Sequence, residues 1–283
     1  MPLLALMLML CAQVNLPLTP PTQFDAVNST VTFDLRAEAS TPQSVAAIDA
    51  ILSWDPTELQ FIGPVAGSYA WFLAGFLPDP DGINLDVTDG NAIYTALAPP
   101  ATPLVLPPDI VVASFEFKLL KEGTLTLLPS LGAFGKTRVV STTPGVEITG
   151  VISGPVCAGP PGTWTSVGAG IPGSTGTPLL VGSGPQACNA QVTLALANAM
   201  PSSIAFLPVG ISFLGLPCKG GVLVPDLDII IIVVTSPAGD LTLNANWPVG
   251  FPPGFSIWYQ YWLQDPGAIK GWQSSNGLRS TTG

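Results

Sequence analysis

Apolar and polar residues alternate along most of the apolar segments of this chain. In residues 31–39, VTFDLRAEA, every second side chain is apolar and those between are polar or charged. A period of two predicts a half-buried β-strand. Residues 44–54, SVAAIDAILSW, and 111–120, VVASFEFKLL, continue this pattern. The first half of the chain therefore predicts a succession of strands with one face in a core.

Turn signals separate these segments at roughly the 8–12-residue spacing that is typical of β-sandwiches. Asp55-Pro56 begins one turn, and the sequence Asp89-Gly90-Asn91 predicts a hairpin turn. At least seven strands are predicted between residues 31 and 150, so a sandwich is the expected architecture.

Strands are predicted again after a break in the pattern, at residues 190–199, 203–212, 226–236 and 240–247. The run Ile229–Val234 has six apolar residues without interruption. It is far too short for a membrane span, so it predicts a strand buried on both faces.

Glycine, proline, serine and threonine dominate residues 154–185, which predicts a boundary between two domains. The expected fold class is all-β, with two β-sandwich domains joined by a Gly/Pro-rich segment. The predicted divisions are a proline-rich lead-in at 13–23, a first sandwich at 24–153, the Gly/Pro-rich linker and first part of the next module at 154–185, and a smaller C-terminal sandwich at 186–283.

The first twelve residues, MPLLALMLMLCA, resemble the apolar core of a secretory signal peptide and are too short to cross a bilayer. Secretion or a cell-surface location is therefore expected. The remaining cysteines are Cys157, Cys188 and Cys218. An odd number predicts one disulfide plus a free thiol, or an intermolecular bond, and Cys188–Cys218 is a candidate pair.

Composition and charge exclude some classes of function. Apolar residues make up 47% of the 283 residues and charged residues 9%, with a net charge of −10. Fourteen acids and five bases lie in residues 1–150, whereas residues 151–283 carry four acids and three bases. A chain with this charge and no basic patch is not expected to bind nucleic acid.

Histidine is absent, which removes the commonest general base and most transition-metal sites. A carboxylate pair for glycoside hydrolysis remains conceivable, but the acids fall on outward strand positions or in turns. The Gly-rich stretch 168–176 has no lysine for a phosphate loop. The chain is predicted not to be an enzyme and to need no cofactor.

One acidic stretch could bind calcium, because hard cations prefer clustered carboxylate oxygens. Its residues are Asp79, Asp81, Asp86 and Asp89. Their spacing differs from an EF-hand loop, no glutamate closes the loop, and Pro80 fixes the backbone. Solvated turns beside a hairpin are the favoured interpretation, with Ca²⁺ as the alternative.

The aromatic stretch FSIWYQYWLQDPG, residues 255–267, splits into two faces at strand spacing. Ile257, Tyr259, Tyr261 and Leu263 share one face, and Trp258, Gln260, Trp262 and Gln264 share the other. The second face predicts a sugar-binding platform if it is exposed, and a covered core edge or a protein interface if it is not. Burial of both tryptophans is the favoured interpretation.

Residues 30–150 resemble a cohesin-like domain. The resemblance lies in VTFDLRAEA, in ILSWDPTELQFIG with its Trp54-Asp55-Pro56 element, and in IVVASFEFKLLKEGTLTLLP. It implies a jelly-roll-type sandwich related to cellulose-binding modules, without catalysis. Some members of that family bind dockerin modules, so the resemblance also implies a protein partner.

Residues 164–283 resemble a C-terminal β-sandwich module that is common in secreted proteins of environmental bacteria. The matching stretches are GAGIPGSTGTPLLVGSGP, PVGISFLG and the end signature IWYQYWLQDPG…SSNGLRSTTG. This resemblance implies secretion and a modular architecture.

The leading functional hypothesis is protein–protein interaction or adhesion outside the cell, with a dockerin-like or other surface protein as partner. One alternative is a carbohydrate-binding protein with a polysaccharide ligand. A second is a structural surface-layer or filament subunit that self-associates through strand edges.

Overall fold

The computed structural model describes residues 13–100 and 105–283, and the predicted signal peptide at residues 1–12 lies outside this part. The chain divides into two compact units, Met1–Ala158 and Gly159–Gly283. Among the described residues the regular structure consists of strands and two short 3₁₀ helices, Ile83–Leu85 and Ile269–Gly271. The all-β fold class predicted from the sequence is confirmed.

The strands of the first unit are β1 (Val14–Leu16), β2 (Leu18–Thr19), β3 (Thr22–Phe24), β4 (Thr30–Ala39), β5 (Gln43–Trp54), β6 (Leu59–Ala66), β7 (Leu73–Gly75), β8 (Asn91–Leu97), β9 (Val105–Leu106), β10 (Asp109–Leu119), β11 (Gly123–Leu128), β12 (Ser130–Leu131), β13 (Gly135–Lys136), β14 (Arg138–Ser141), β15 (Thr149–Ile152) and β16 (Val156–Gly159).

Two sheets of the first unit enclose its core. One has the order β15-β1-β4-β10-β6, and the other has the order β3-β16-β11-β5-β8-β7. In β4 the alternation puts Val31, Phe33 and Leu35 in the core, where Phe33 lies opposite Phe115 of β10. The second sheet contributes Leu52 of β5 to the same cluster. Both inner faces meet in one apolar layer, which is the defining feature of a sandwich.

The strands of the second unit are β17 (Thr163–Gly168), β18 (Leu179–Ser183), β19 (Gln191–Ala197), β20 (Ile204–Gly210), β21 (Phe213–Cys218), β22 (Gly221–Pro225), β23 (Ile229–Val234), β24 (Leu241–Asn246), β25 (Ser256–Tyr259), β26 (Trp262–Gln264), β27 (Trp272–Ser274) and β28 (Gly277–Thr281). The Gly/Pro-rich segment 154–185 thus carries β16, β17 and β18.

The second unit is also built from stacked sheets. Its large sheet has the order β17-β28-β25-β20-β26-β27, with β23 paired to β20, and a smaller sheet has the order β18-β19-β24. Leu180 of β18 and Leu196 of β19 share a buried cluster with Leu207 of β20 and Tyr261. On its other face the large sheet contacts a hairpin made of β21 and β22.

Candidate functional site

The aromatic stretch is split between two short strands that both pair with β20. β25 pairs at Val209 and Gly210, and β26 pairs at Ala205 and Phe206. Pro208 lies at the break between them, where the Gln260 N–H still donates to its carbonyl. A proline is tolerated there because its nitrogen faces a gap in the ladder.

One face of this stretch fills the core of the second unit. Tyr259, Tyr261 and Leu263 belong to the buried cluster between the two sheets. Burial raises the pKa of the Tyr261 hydroxyl. The period-two assignment of these side chains to an inner face agrees with the structure.

Gln260 is fully buried and forms hydrogen bonds with several backbone groups and one indole. Its Oε1 accepts hydrogen bonds from the Val224 N–H at 2.9 Å and the Trp262 indole N–H at 3.0 Å. Its amide nitrogen donates to the carbonyls of Val222 at 3.1 Å and Ser275 at 3.2 Å. Both ends of the amide are occupied within the unit, so Gln260 acts as a structural tie.

The other three side chains of the Trp/Gln face differ in solvent exposure. Trp262 is 5% exposed, Trp258 is half-buried and Gln264 is exposed. The Trp258 ring lies 5.2 Å from Phe213 and 5.4 Å from the Arg279 guanidinium. Trp262 is buried as the favoured interpretation expects, and Trp258 is only half-buried. Trp258, Gln260, Trp262 and Gln264 form no exposed platform, because the β21–β22 hairpin covers Gln260 and Trp262.

The acidic stretch uses its carboxylates to close turns. Asp79 accepts hydrogen bonds from the backbone N–H groups of Asp81, Ile83 and Asn84. Asp86 and Asp89 cap the following turns at Thr88 and Asn91.

Asp81 accepts hydrogen bonds from the N–H groups of Phe134 at 2.7 Å and Gly135 at 3.0 Å, and these bonds lower the pKa of its carboxyl. The hydroxyl of Thr88 lowers the pKa of Asp86 in the same way. No three of the four carboxylates converge as cation ligands would. The geometry is that of polar turns.

The disulfide state of the cysteines differs from the predicted Cys188–Cys218 pairing. Cys188 is disulfide-bonded, whereas Cys218 is a free thiol at the end of β21. The predicted Cys188–Cys218 bridge is wrong, because Cys188 is already engaged. Spacing alone does not determine which cysteines meet.

Strand β23 departs most from the sequence prediction. The run Ile229–Val234 is not buried on both faces; Ile230 is 52% exposed and Ile232 is 65% exposed. The reason is its place in the sheet, since β23 pairs with β20 alone among the described strands. β23, whose continuous apolar run predicts a central strand, is therefore an edge strand.

The open edge of β23 can be assigned residue by residue. In an antiparallel pair, alternate residues direct both backbone polar groups to the same neighbour. The Thr235 N–H, directly after β23, donates to the Ser203 carbonyl, directly before β20. Counting back by twos from Thr235, the backbone groups of Val233, Ile231 and Ile229 also face β20. The backbone groups of Ile230, Ile232 and Val234 therefore point away from the sheet.

An apolar groove lies beside this edge, on the face that carries the hairpin. It has a volume of about 220 Å³ and is lined by Phe206, Pro208, Leu223, Ile230, Trp262 and Trp272, among others. The Lys219 ammonium lies 5.5 Å from the centre of the Trp272 ring at its rim. Its lining would accept an apolar side chain.

Further exposed apolar side chains surround the edge and the groove. We call the eleven exposed large apolar residues between positions 204 and 234 the apolar edge surface. They are Ile204, Ile211, Phe213, Leu214, Leu216, Leu227, Ile229, Ile230, Ile231, Ile232 and Val234. Those from Ile229 to Ile232 are consecutive along the edge strand, and exposed apolar patches mark interaction sites.

The sequence contained one signal that could have located this surface. Asp226 and Asp228 precede the isoleucine run and act in turns, where Asp228 accepts a hydrogen bond from the Ile211 N–H. Charged residues that flank an apolar strand are a common protection of sheet edges. The run itself gives no such signal, because an edge strand and a central strand can have the same composition.

In the part of the chain that the structure describes, no helix is long and apolar enough to span a membrane.

Comparison with known proteins gives structural likeness only. No family model matches the chain, and no curated protein matches it. Among solved structures, the sixth cohesin of scaffoldin B from Acetivibrio cellulolyticus, solved in complex with a dockerin, has a TM-score of 0.41 and 13% identity, and covers 52% of this chain and 99% of its own.

Two further cohesins give similar values. A type III cohesin from a cell-surface anchoring scaffoldin of Ruminococcus flavefaciens has a TM-score of 0.40 and 16% identity, covering 53% of this chain and 87% of its own. A cohesin of a type I complex from Clostridium thermocellum has a TM-score of 0.39 and 12% identity, covering 53% of this chain and 94% of its own. The sheets of the first unit themselves define a β-sandwich, and similarities at these TM-scores and identities assign neither a family nor a partner to it.

Proposed function

We propose that this chain is a non-catalytic interaction protein of the cell exterior that binds an extended apolar polypeptide strand along β23. The observation that carries the proposal is the exposed, uncharged edge Ile229–Val234 with outward backbone groups at alternate residues.

Strand addition supplies both affinity and selectivity at such an edge. Main-chain hydrogen bonds to Ile230, Ile232 and Val234 would hold the partner strand, and pockets beside the edge would select its side chains. The groove that Ile230 shares with Phe206 and Trp262 is one such pocket. A partner whose strand is uncharged where it faces Ile229–Val234 fits best, because this part of the edge offers no group to pair with a charge.

Two observations support the rest of the proposal. The chain has no histidine, and the buried polar side chain Gln260 is occupied by backbone, which favours a binding role over catalysis. Disulfide-bonded Cys188 favours an oxidising compartment, as does the apolar run of residues 3–11.

The test is binding of a fluorescent peptide with the sequence of residues 226–236 to the full chain, followed by anisotropy. We expect saturable binding, and a loss of affinity of about tenfold or more in Ile232→Lys, because a lysine at the centre of the edge must give up water to pair. Ile62→Lys is the matched control, since Ile62 is 53% exposed on β6 of the other unit.

Equal affinity of the peptide for the wild type and for Ile232→Lys would contradict the proposal. So would a loss of the same size in Ile62→Lys. Thermal unfolding of both variants verifies that they are folded, which their exposed positions lead us to expect.

A further inference from the structure

The apolar edge surface suits one occupant in particular. We propose that a second copy of this chain pairs with it, β23 against β23, about a twofold axis at Ile232. This inference rests on the proposed strand addition and names the partner.

Backbone geometry fixes the register. The outward residues Ile230, Ile232 and Val234 are spaced evenly about Ile232, so a twofold axis there places Ile232 opposite itself and Ile230 opposite the partner's Val234. All three outward residues then lie in hydrogen-bonded pairs, which gives about six interchain hydrogen bonds. A twofold contact of this type closes on itself and yields a dimer.

The side chains are self-complementary in that register. Every residue from Ile230 to Val234 is a β-branched aliphatic residue that meets another of its kind across the axis, and Ile229 meets the β-branched Thr235 of the second copy. Paired residues share a face, and the partner's Val234 would therefore lie beside Ile230 at the rim of the groove.

Charge favours a second copy at this surface over any contact through the first half. Residues 1–150 carry fourteen acids against five bases, and two such halves repel each other. Residues 151–283 are nearly neutral, with four acids and three bases. The nearest acid along the strand, Asp228, would face the partner's Ser236, so no like charges meet at the axis.

Sedimentation velocity of the full chain over a hundredfold range of concentration tests the assembly. We expect a reversible monomer–dimer equilibrium that shifts to monomer by at least about tenfold in Ile232→Lys and is unchanged in Ile62→Lys. A chain that stays monomeric throughout, a dimer that persists in Ile232→Lys, or an open-ended series of oligomers would each overturn the proposal.

Disulfide trapping tests the register. In a Cys218→Ser background, Ile232→Cys should form a covalent dimer on mild oxidation, because a hydrogen-bonded antiparallel pair has Cα atoms about 5.5 Å apart, within the range of a disulfide. Ile230→Cys is the matched control, since it would lie about 13 Å from its own copy. Trapping of Ile230→Cys in preference to Ile232→Cys would overturn the register.

Failure of the dimer can be told apart from failure of strand addition. A monomeric chain that still binds the peptide of residues 226–236 in a manner sensitive to Ile232→Lys would retain the proposed function and lose the second copy. A monomeric chain that does not bind the peptide would lose both.

Discussion

Replacement of Gln260 by leucine tests whether the hydrogen bonds of this buried amide stabilise the second unit or whether the amide is available to bind a ligand. Its Oε1 accepts the Val224 N–H and the Trp262 indole N–H. Leucine has similar bulk and no acceptor, so both donors would stay buried without a partner. An unsatisfied buried donor costs about 1–3 kcal/mol. We therefore expect the Gln260→Leu variant to lose about 2–6 kcal/mol of unfolding free energy in the second unit.

The assay is urea unfolding followed by tryptophan fluorescence, with the transition of the second unit fitted separately because a chain with two units need not unfold in one step. Gln264→Leu is the matched control, since Gln264 lies two residues after Trp262 and is exposed. Its expected change is within about 0.5 kcal/mol. A Gln260→Leu variant that loses less than about 1 kcal/mol would refute the assignment of Gln260 as a tie.

Three further predictions follow from the second unit. A Cβ at Gly182 would clash with the Trp164 ring, so Gly182→Ala should lower the unfolding free energy by about 1–3 kcal/mol, measured by thermal unfolding. Hydrogen bonds from Ser174 and Gly267 outweigh the effect of burial and lower the pKa of Asp265, so its contribution to stability is present above its ordinary pKa of 3.8 and is lost as the pH falls further. Unfolding free energy measured between pH 6 and pH 3 should therefore fall less in Asp265→Asn than in the wild type. Thiol titration of a folded Cys11→Ser chain should detect Cys218 alone, and reduction should expose two more thiols.

The first two of these predictions each have a control variant. Gly154→Ala should be close to neutral, because nothing lies within 4 Å of the added carbon. Asn246→Ala, at an exposed amide that does not titrate, should keep the acid dependence of the wild type. Equal effects of Gly182→Ala and Gly154→Ala, equal pH profiles for Asp265→Asn and the wild type, or more than one reactive thiol in the folded chain would contradict the respective predictions.

The sequence predicted what depends on neighbours along the chain. Alternation in residues 31–39 places Phe33 and Leu35 in the core as observed, because a strand with one polar face has a single favourable orientation. The same rule placed Tyr259, Tyr261 and Leu263 inside the second unit.

What the sequence missed depends on contacts far apart in the chain. Burial of Trp262 was the favoured interpretation, but the local sequence did not indicate what covers it and Gln260, which is the hairpin of β21 and β22 about forty residues earlier. Ile229–Val234 is exposed because no further strand pairs with it among the described residues. Neither feature changes the alternation of apolar and polar residues in the local sequence, because strand pairing depends on residues that are distant along the chain.

Amide hydrogen exchange along β23 tests most directly that this edge is a binding surface. In the dilute full chain, the N–H groups of Ile229, Ile231 and Val233 should be protected, and those of Ile230, Ile232 and Val234 should exchange freely. Addition of the peptide of residues 226–236 should raise the protection of the outward three by about tenfold or more and leave their neighbours unchanged. Outward amides that are protected in the dilute chain, or that stay unprotected at saturating peptide, would contradict the account.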